Sequence, residues 1–171
     1  MFKKLVLTFL SVLALSLHLQ AQKIAVIDMT KIMEAVPEYK QANDDLEKIS
    51  TKWRSEIAVE YDKIKGLYNK YSAEQVLLNE EQKKQREDEI MNKEKEVREM
   101  QKDKFGPEGA LFKKRQEMVK PIQEMVYAAI EKYSASRGYD FMFDKGSASG
   151  LIYSSSTNDK TDDIIKELKK K

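Results

Sequence analysis

The chain has no cysteine and a single histidine, His18, among its 171 residues. Without cysteine it can form no disulfide, offer no reactive thiol and build none of the cysteine-ligated zinc sites. His18 lies in an N-terminal segment with the pattern of a removable signal, so the mature chain would keep no imidazole for acid–base catalysis. Long apolar runs are scarce after that segment, and 35% of all residues are charged. Such a chain cannot bury a large core alone, so we expect it to complete its core by association.

The first 21 residues have the three parts of a secretory signal peptide. Lys3 and Lys4 form a basic start, residues 5–19 form an apolar stretch, and the small residue Ala21 precedes the expected cleavage site. The alternative is an uncleaved membrane anchor, but the apolar stretch is short for a span. Cleavage would remove two lysines and no acid, which lowers the formal net charge from +2 to 0. The segment predicts a signal peptide over residues 1–21 and export of the mature chain.

Between residues 37 and 136, apolar residues recur every three or four positions and charged residues fill the gaps. This spacing predicts two long helices that pair as an antiparallel, coiled-coil-like hairpin. Pro37 suits the first position of the first helix, where its missing N–H costs nothing. An interruption at 105–109 contains Gly106, Pro107 and Gly109, which predicts a kink or a short loop in the returning helix. This break is either a hinge or an insertion, and the sequence does not separate the two.

The tip of the hairpin is expected at about residues 72–79. Three consecutive apolar residues in this segment cannot all face one helical seam: Val76, Leu77 and Leu78. Asn79, with Gln82 three residues later, has the pattern of a capping box. The return helix is therefore expected to start just after Asn79.

Strand-like segments flank the hairpin. Residues 23–28 and 139–144 are rich in β-branched or aromatic residues, and Leu151, Ile152 and Tyr153 follow a flexible turn as a third expected strand. A terminal helix from about residue 159 to 169 is favoured by acids in its first turn and lysines at its end.

These elements predict an α+β fold that is mostly helical, with a long hairpin arm on a small β base. The predicted boundaries are residues 22–36 for the first strand and a short helix, 37–136 for the arm, and 137–171 for two strands and the terminal helix.

Acidic clusters are the nearest approach to a catalytic site in this sequence. Glu80, Glu81 and residues 87–89 lie on a highly charged helix without apolar surroundings that could shift a pKa, so we expect solvated helix faces. The sequence has no EF-hand spacing, Walker loop or nucleophile elbow. Zero net charge and export argue against nucleic-acid binding. We therefore predict no enzymatic activity, no cofactor and no metal.

The order of these elements resembles the Skp/OmpH family of periplasmic chaperones over essentially the whole mature chain. The more specific part is the terminal blocks, which read KIAVIDM over residues 23–29, YDFMFD over 139–144 and LIY over 151–153. The resemblance implies a homotrimer in which strands of three subunits form a small β core and three hairpins surround a cavity. It also implies a periplasmic protein that holds unfolded outer-membrane β-barrel proteins without ATP.

The resemblance assigns roles to two sets of residues. The apolar strand residues have few expected partners within one chain, so we predict a trimer core at Ile24, Val26, Ile27, Phe141, Phe143, Leu151, Ile152 and Tyr153. Scattered aromatic and methionine side chains suit promiscuous contact, so we predict client contacts at Tyr61, Leu67, Tyr68, Tyr71, Val76, Leu77, Leu78, Met91 and Met100. The alternative for the first set is a monomeric three-stranded sheet covered by the terminal helix. The alternative for the second is packing in the hairpin seam.

Two features depart from the family pattern, and a second function class fits the same helices. The mature chain is neutral where members are often basic, and the break at 105–109 interrupts a helix that is continuous in the simplest members. A trimeric coiled-coil spacer or adaptor of the cell envelope would use similar helices. A spacer should have a tight, leucine-rich seam, whereas this seam is patchy, so the sequence favours a holder. Contact with a membrane surface stays open.

Overall fold

The computed structural model describes residues 22–147 and 150–170, so the predicted signal peptide lies outside the described residues. The chain forms two compact units. The β unit consists of the described parts of Met1–Ile32 and Tyr127–Lys171, and the helical unit is Met33–Val126. No helix in the described part of the chain is both long and apolar enough to span a bilayer.

Five α-helices account for most of the described residues, which confirms the mostly helical α+β prediction. They are α1 (Met29–Glu34), α2 (Pro37–Glu74), α3 (Glu80–Phe105), α4 (Ala110–Arg137) and α5 (Thr161–Leu168). Pro37 occupies the start of α2, where its fixed φ suits the helix. Asn79 caps α3 in a capping box: its side chain accepts from the backbone N–H of Gln82 at 2.9 Å, and its own N–H donates to the Gln82 side chain at 3.1 Å. The predicted tip and break therefore coincide with the observed ends of α2, α3 and α4.

Helix α2 packs closely against α3 and borders α4. In its second half, Ile57 and Ile64 form a buried apolar cluster with Val97 of α3. In its first half, Ala42 borders a shallow groove together with Met118 and Ile122 of α4. Along this continuous helix the close packing is thus with α3, and α4 lies across a groove from the first half.

The β unit contains a two-stranded parallel sheet of β1 (Ile24–Ile27) and β2 (Phe141–Asp144). Ile24 pairs with Phe141 and Val26 pairs with Phe143, so these four side chains belong to one face of the sheet. Parallel sheets are usually covered on both faces, and two strands alone are marginally stable. The stability of the sheet therefore depends on the residues that cover it.

The predicted third strand at residues 151–153 is wrong for this chain. The segment has no strand pairing, and Ile152 and Tyr153 are 98% and 83% exposed. The segment cannot join β1, because the outer edge of that strand is already occupied. Val26 forms a parallel bridge with Asp159, and its carbonyl accepts from the N–H of Lys160 at 2.8 Å.

Candidate functional site

Three tyrosine hydroxyls of α2 donate hydrogen bonds to side chains of α3. The oxygen–oxygen distances are 3.3 Å for Tyr61–Gln101 and 2.9 Å for Tyr68–Glu94, and Tyr71 donates to Glu87. The pKa values of Tyr68 and Tyr71 are raised, first because these bonds to glutamates favour the protonated phenol. The hydroxyl ends therefore serve helix pairing, in agreement with the seam-packing alternative.

The rings of two of these tyrosines stay open to solvent, since Tyr61 and Tyr68 are each 46% exposed. Met91 is 59% exposed and precedes Glu94 by three residues, so it lies on the same face of α3 as the tyrosine partners. Tyr61, Tyr68 and Met91 together form what we call the tyrosine face. It combines aromatic rings and an adaptable thioether above hydrogen bonds that hold the two helices together.

The most exposed of the predicted client contacts lie at the tip. Val76 and Leu77, which we call the tip pair, are 85% and 83% exposed, whereas Leu78 is partly buried. Neither helix can bury the tip pair, because both residues lie in the turn between α2 and α3. Burying a large apolar side chain stabilises a fold by about 1.5–3 kcal/mol. The exposed tip pair does not contribute this free energy within the chain. The tip pair is therefore available for contact.

Two predicted client contacts are less exposed than the tip pair. Leu67 and Met100 are partly buried, and Met100 packs against the apolar cluster that contains Val97. Met100 thus contributes to packing of the hairpin, where the apolar positions of α2 and α3 meet. Client contact stays a prediction for both residues.

Ion pairs across the helices add to the tyrosine hydrogen bonds. Lys93 of α3 lies 2.8 Å from Glu60 of α2, and Lys104 lies 2.7 Å from Glu56. The pKa of Glu60 is lowered to about 2, first by the hydrogen bond from Lys63 and then by that from Lys93. Sequence reasoning missed both pairs, although Glu60 and Lys93 lie at similar distances from the predicted tip, which is a usable signal.

The predicted trimer-core residues divide into buried and exposed sets. Val26 and Ile27 are each only 3% exposed, so the expectation that they lack partners within one chain is wrong. Val26 is covered beside the bridge to Asp159, and Ile27 lies on the opposite side of β1. Leu151 is partly buried, while Ile152 and Tyr153 are almost fully exposed.

The remaining three residues form an exposed apolar patch on the sheet. Ile24, Phe141 and Phe143, which we call the sheet face, are 44–47% exposed. The two phenylalanine rings stack with centroids 6.3 Å apart and an interplanar angle of 16°. Aromatic pairs of this kind usually lie in cores or interfaces.

A polar network joins the ends of the strands to the start of α5. Lys145 lies 2.8 Å from Asp159 and 3.7 Å from Asp28. Burial alone would raise the pKa of Asp159, but hydrogen bonds from Lys145 and Thr161 outweigh it and lower the pKa to about 2. Asp144 accepts from the N–H of Met29 at 3.2 Å. Each of these carboxylates is engaged with a cation or a backbone donor, so we assign the network a structural role.

Within the described residues, no group of three or more potential ligands is arranged to hold a metal ion. The features that stand out are instead apolar and exposed: the tip pair, the tyrosine face and the sheet face. These three surfaces are the candidate functional sites.

The comparisons with known proteins identify the family. The profile of the family described as outer membrane protein (OmpH-like) matches residues 23–168. The chain therefore belongs to the OmpH-like family, which confirms the resemblance found in the sequence.

A solved structure has the same fold. It is the crystal structure of an OmpH-like protein from Caulobacter crescentus CB15, whose assignment as an outer membrane chaperone is provisional. The match has a TM-score of 0.70 at 10% sequence identity and covers 86% of this chain and 84% of that one. No functionally curated protein matches the chain in sequence.

Proposed function

We propose that this protein is an ATP-independent periplasmic holdase that shields unfolded outer-membrane β-barrel proteins in a cavity between the helical hairpins of a homotrimer. It performs this role without catalysis, cofactor or metal. Its signal peptide directs export and is removed after Ala21. Family membership supports the chaperone class, and the exposed apolar surfaces support holding by contact.

The single observation that carries the proposal is the exposure of apolar side chains on a hairpin that is rich in charged residues. The tip pair is more than four-fifths exposed, and the tyrosine face presents two rings and a thioether at about half exposure. Unfolded β-barrel chains expose apolar strands with unpaired edges, which aggregate unless they are covered. Methionine and aromatic groups suit many different clients because they adapt in shape or bury a large area.

The sheet face supports the homotrimer. Ile24, Phe141 and Phe143 leave part of one sheet face exposed although Val26 on that face is buried, and Ile152 and Tyr153 add further exposed apolar surface to the same unit. Contact between copies would cover these residues, as is usual for parallel sheets.

Holding is tested by diluting an outer-membrane β-barrel protein out of urea with and without the mature chain. Light scattering reports aggregation, and the mass of any soluble complex reports its composition. One client per trimer with suppressed scattering is the expected result. Full aggregation beside an intact trimer would indicate the envelope spacer instead.

A variant separates contact at the tip from holding in general. Changing Val76, Leu77 and Leu78 together to Ser should weaken suppression of aggregation while the oligomer stays intact. Val59→Ser is the matched control, because Val59 is 51% exposed but follows the buried Ile57 by two residues and faces away from the seam. If the tip variant suppresses aggregation as well as Val59→Ser does, the tip pair is not part of the contact surface.

A further inference from the structure

The break between α3 and α4 is a closed turn. The N–H of Gly106 donates to the carbonyl of Lys102 at 2.7 Å, which continues the pattern of α3 past its end. The N–H of Gly109 donates to the carbonyl of Gly106 at 2.9 Å, and the carbonyl of Gly109 accepts from Lys113 at 3.1 Å as α4 begins. Pro107 contributes no N–H that would need a partner. Backbone hydrogen bonds thus run almost without interruption from one helix to the next.

Both glycines are needed because the backbone passes too close for a side chain. A Cβ at Gly106 would lie 2.5 Å from the carbonyl oxygen of Lys102. A Cβ at Gly109 would lie 2.9 Å from the carbonyl oxygen of Asp103 and 2.9 Å from the nitrogen of Gly106. These neighbours are backbone atoms, which cannot move unless the turn opens. A mobile linker would not require such close approach.

Side chains of α2 hold the turn in place from the opposite helix. The ring of Trp53 meets the ring of Phe105 edge-on, with centroids 6.1 Å apart and an angle of 82°. Lys104 lies 5.0 Å from the centre of the Trp53 ring and 2.7 Å from Glu56. Arg54 lies over the other ring, 5.9 Å from the centre of Phe105. Aromatic, cation–π and ionic contacts therefore converge on the last residues of α3.

We infer that residues 105–109 form a rigid corner, clamped by Trp53, rather than the hinge that the glycines and proline suggest in the sequence. The corner lies where the last residues of α3 contact Trp53 and Glu56 of α2. It therefore limits any separation of α2 from α3 to the residues beyond Trp53. This inference concerns conformation and does not depend on the proposed holding activity.

The two interpretations predict opposite effects of adding a methyl group. At a hinge, Gly→Ala restricts the backbone, so amide exchange slows or stays the same. At the corner, Gly109→Ala forces the turn open, so exchange across residues 102–113 should accelerate by about tenfold or more. Gly66→Ala is the matched control, because a Cβ at Gly66 meets nothing within 4 Å.

The experiment uses the full mature chain and two readouts, hydrogen exchange by mass spectrometry and the fluorescence of Trp53, the only tryptophan of the protein. Gly109→Ala should shift the Trp53 emission to longer wavelength and speed exchange at 102–113, while Gly66→Ala changes neither. Slower or unchanged exchange in Gly109→Ala would overturn the inference in favour of a hinge.

A second variant covers the case in which Gly109→Ala loses its helical circular dichroism and cannot be interpreted. Phe105→Ala removes the contact with Trp53 without adding an atom to the turn. Phe105→Ala should shift the fluorescence emission of Trp53 to longer wavelength. It should also accelerate amide exchange at residues 102–113 relative to Gly66→Ala. If exchange there matches the control, the clamp does not hold the turn and the inference fails.

Discussion

At the scale of single residues, Asp159 links the strand β1, the loop after β2 and the start of α5. Its backbone forms the bridge to Val26, and its carboxylate accepts from Lys145 and Thr161. Its pKa of about 2 lies below the ordinary value of 3.8. The carboxylate therefore stabilises the fold above about pH 4, and this contribution is lost as the pH falls through the folded-state pKa.

We predict that Asp159→Asn lowers the free energy of unfolding at neutral pH by about 1–3 kcal/mol, because a charged hydrogen-bond acceptor is lost. The difference from the unchanged protein should shrink as the pH falls from about 4 toward 2, where Asp159 itself becomes neutral. Urea unfolding of both proteins over this range measures the difference. A difference that stays constant with pH would mean that the substitution acts through packing.

Two substitutions of Tyr68 distinguish the roles of the tyrosine face in helix pairing and in client contact. Tyr68→Phe keeps the ring but loses the hydrogen bond to Glu94, so we predict a small loss in unfolding free energy with client holding unchanged. Tyr68→Ala removes the ring as well and should weaken holding. Unfolding curves and aggregation assays of both variants test this. If Tyr68→Phe weakens holding as much as Tyr68→Ala, the hydroxyl rather than the ring makes the contact.

At the scale of elements, the pairing of α2 with α3 includes ion pairs beside its apolar cluster. Glu60–Lys93 and Glu56–Lys104 cross between the helices, whereas the groove between α2 and α4 is bordered by the apolar Ala42, Met118 and Ile122. Raising NaCl from about 0.1 to about 1 M shortens the screening length from about 10 to about 3 Å. We predict that amide exchange in α3 accelerates several-fold while exchange at residues 119–126 of α4 changes little. Hydrogen exchange at both salt concentrations measures this, and an equal response of the two helices would contradict it.

The elements that the sequence predicts correctly are those fixed by local chemistry. The starts of α2 and α3 follow from Pro37 and from the Asn79 capping box, which act within a few residues. Strand pairing is decided by distant residues: Asp159 and Lys160 take the edge of β1, so residues 151–153 cannot pair there. For the same reason the sequence does not show which apolar residues are exposed: Val26 is buried and Phe143 is not.

At the scale of the whole molecule, the sheet face is the proposed contact between copies. We predict that Phe141→Asp dissociates the homotrimer, because a buried unpaired carboxylate would be costly at an apolar interface. The helical circular dichroism should remain. Phe112→Asp is the control, since Phe112 is exposed to a similar extent, 45% against 47%, but lies in the helical unit. Light scattering gives the mass, and an unchanged mass for Phe141→Asp would place the contact elsewhere.

The tyrosine hydrogen bonds also restrict how this hairpin can change in evolution. Tyr61 and Tyr68 are seven residues apart on α2, and their partners Gln101 and Glu94 are seven apart on α3. An insertion in one helix would shift every later pair out of register, and a single-residue insertion would also rotate the side chains by about 100°. Lengthening between these two pairs therefore requires matched insertions in both helices, and insertions of seven residues keep the side chains on nearly the same faces. Lineages of this protein should therefore differ in hairpin length by equal amounts in the two helices.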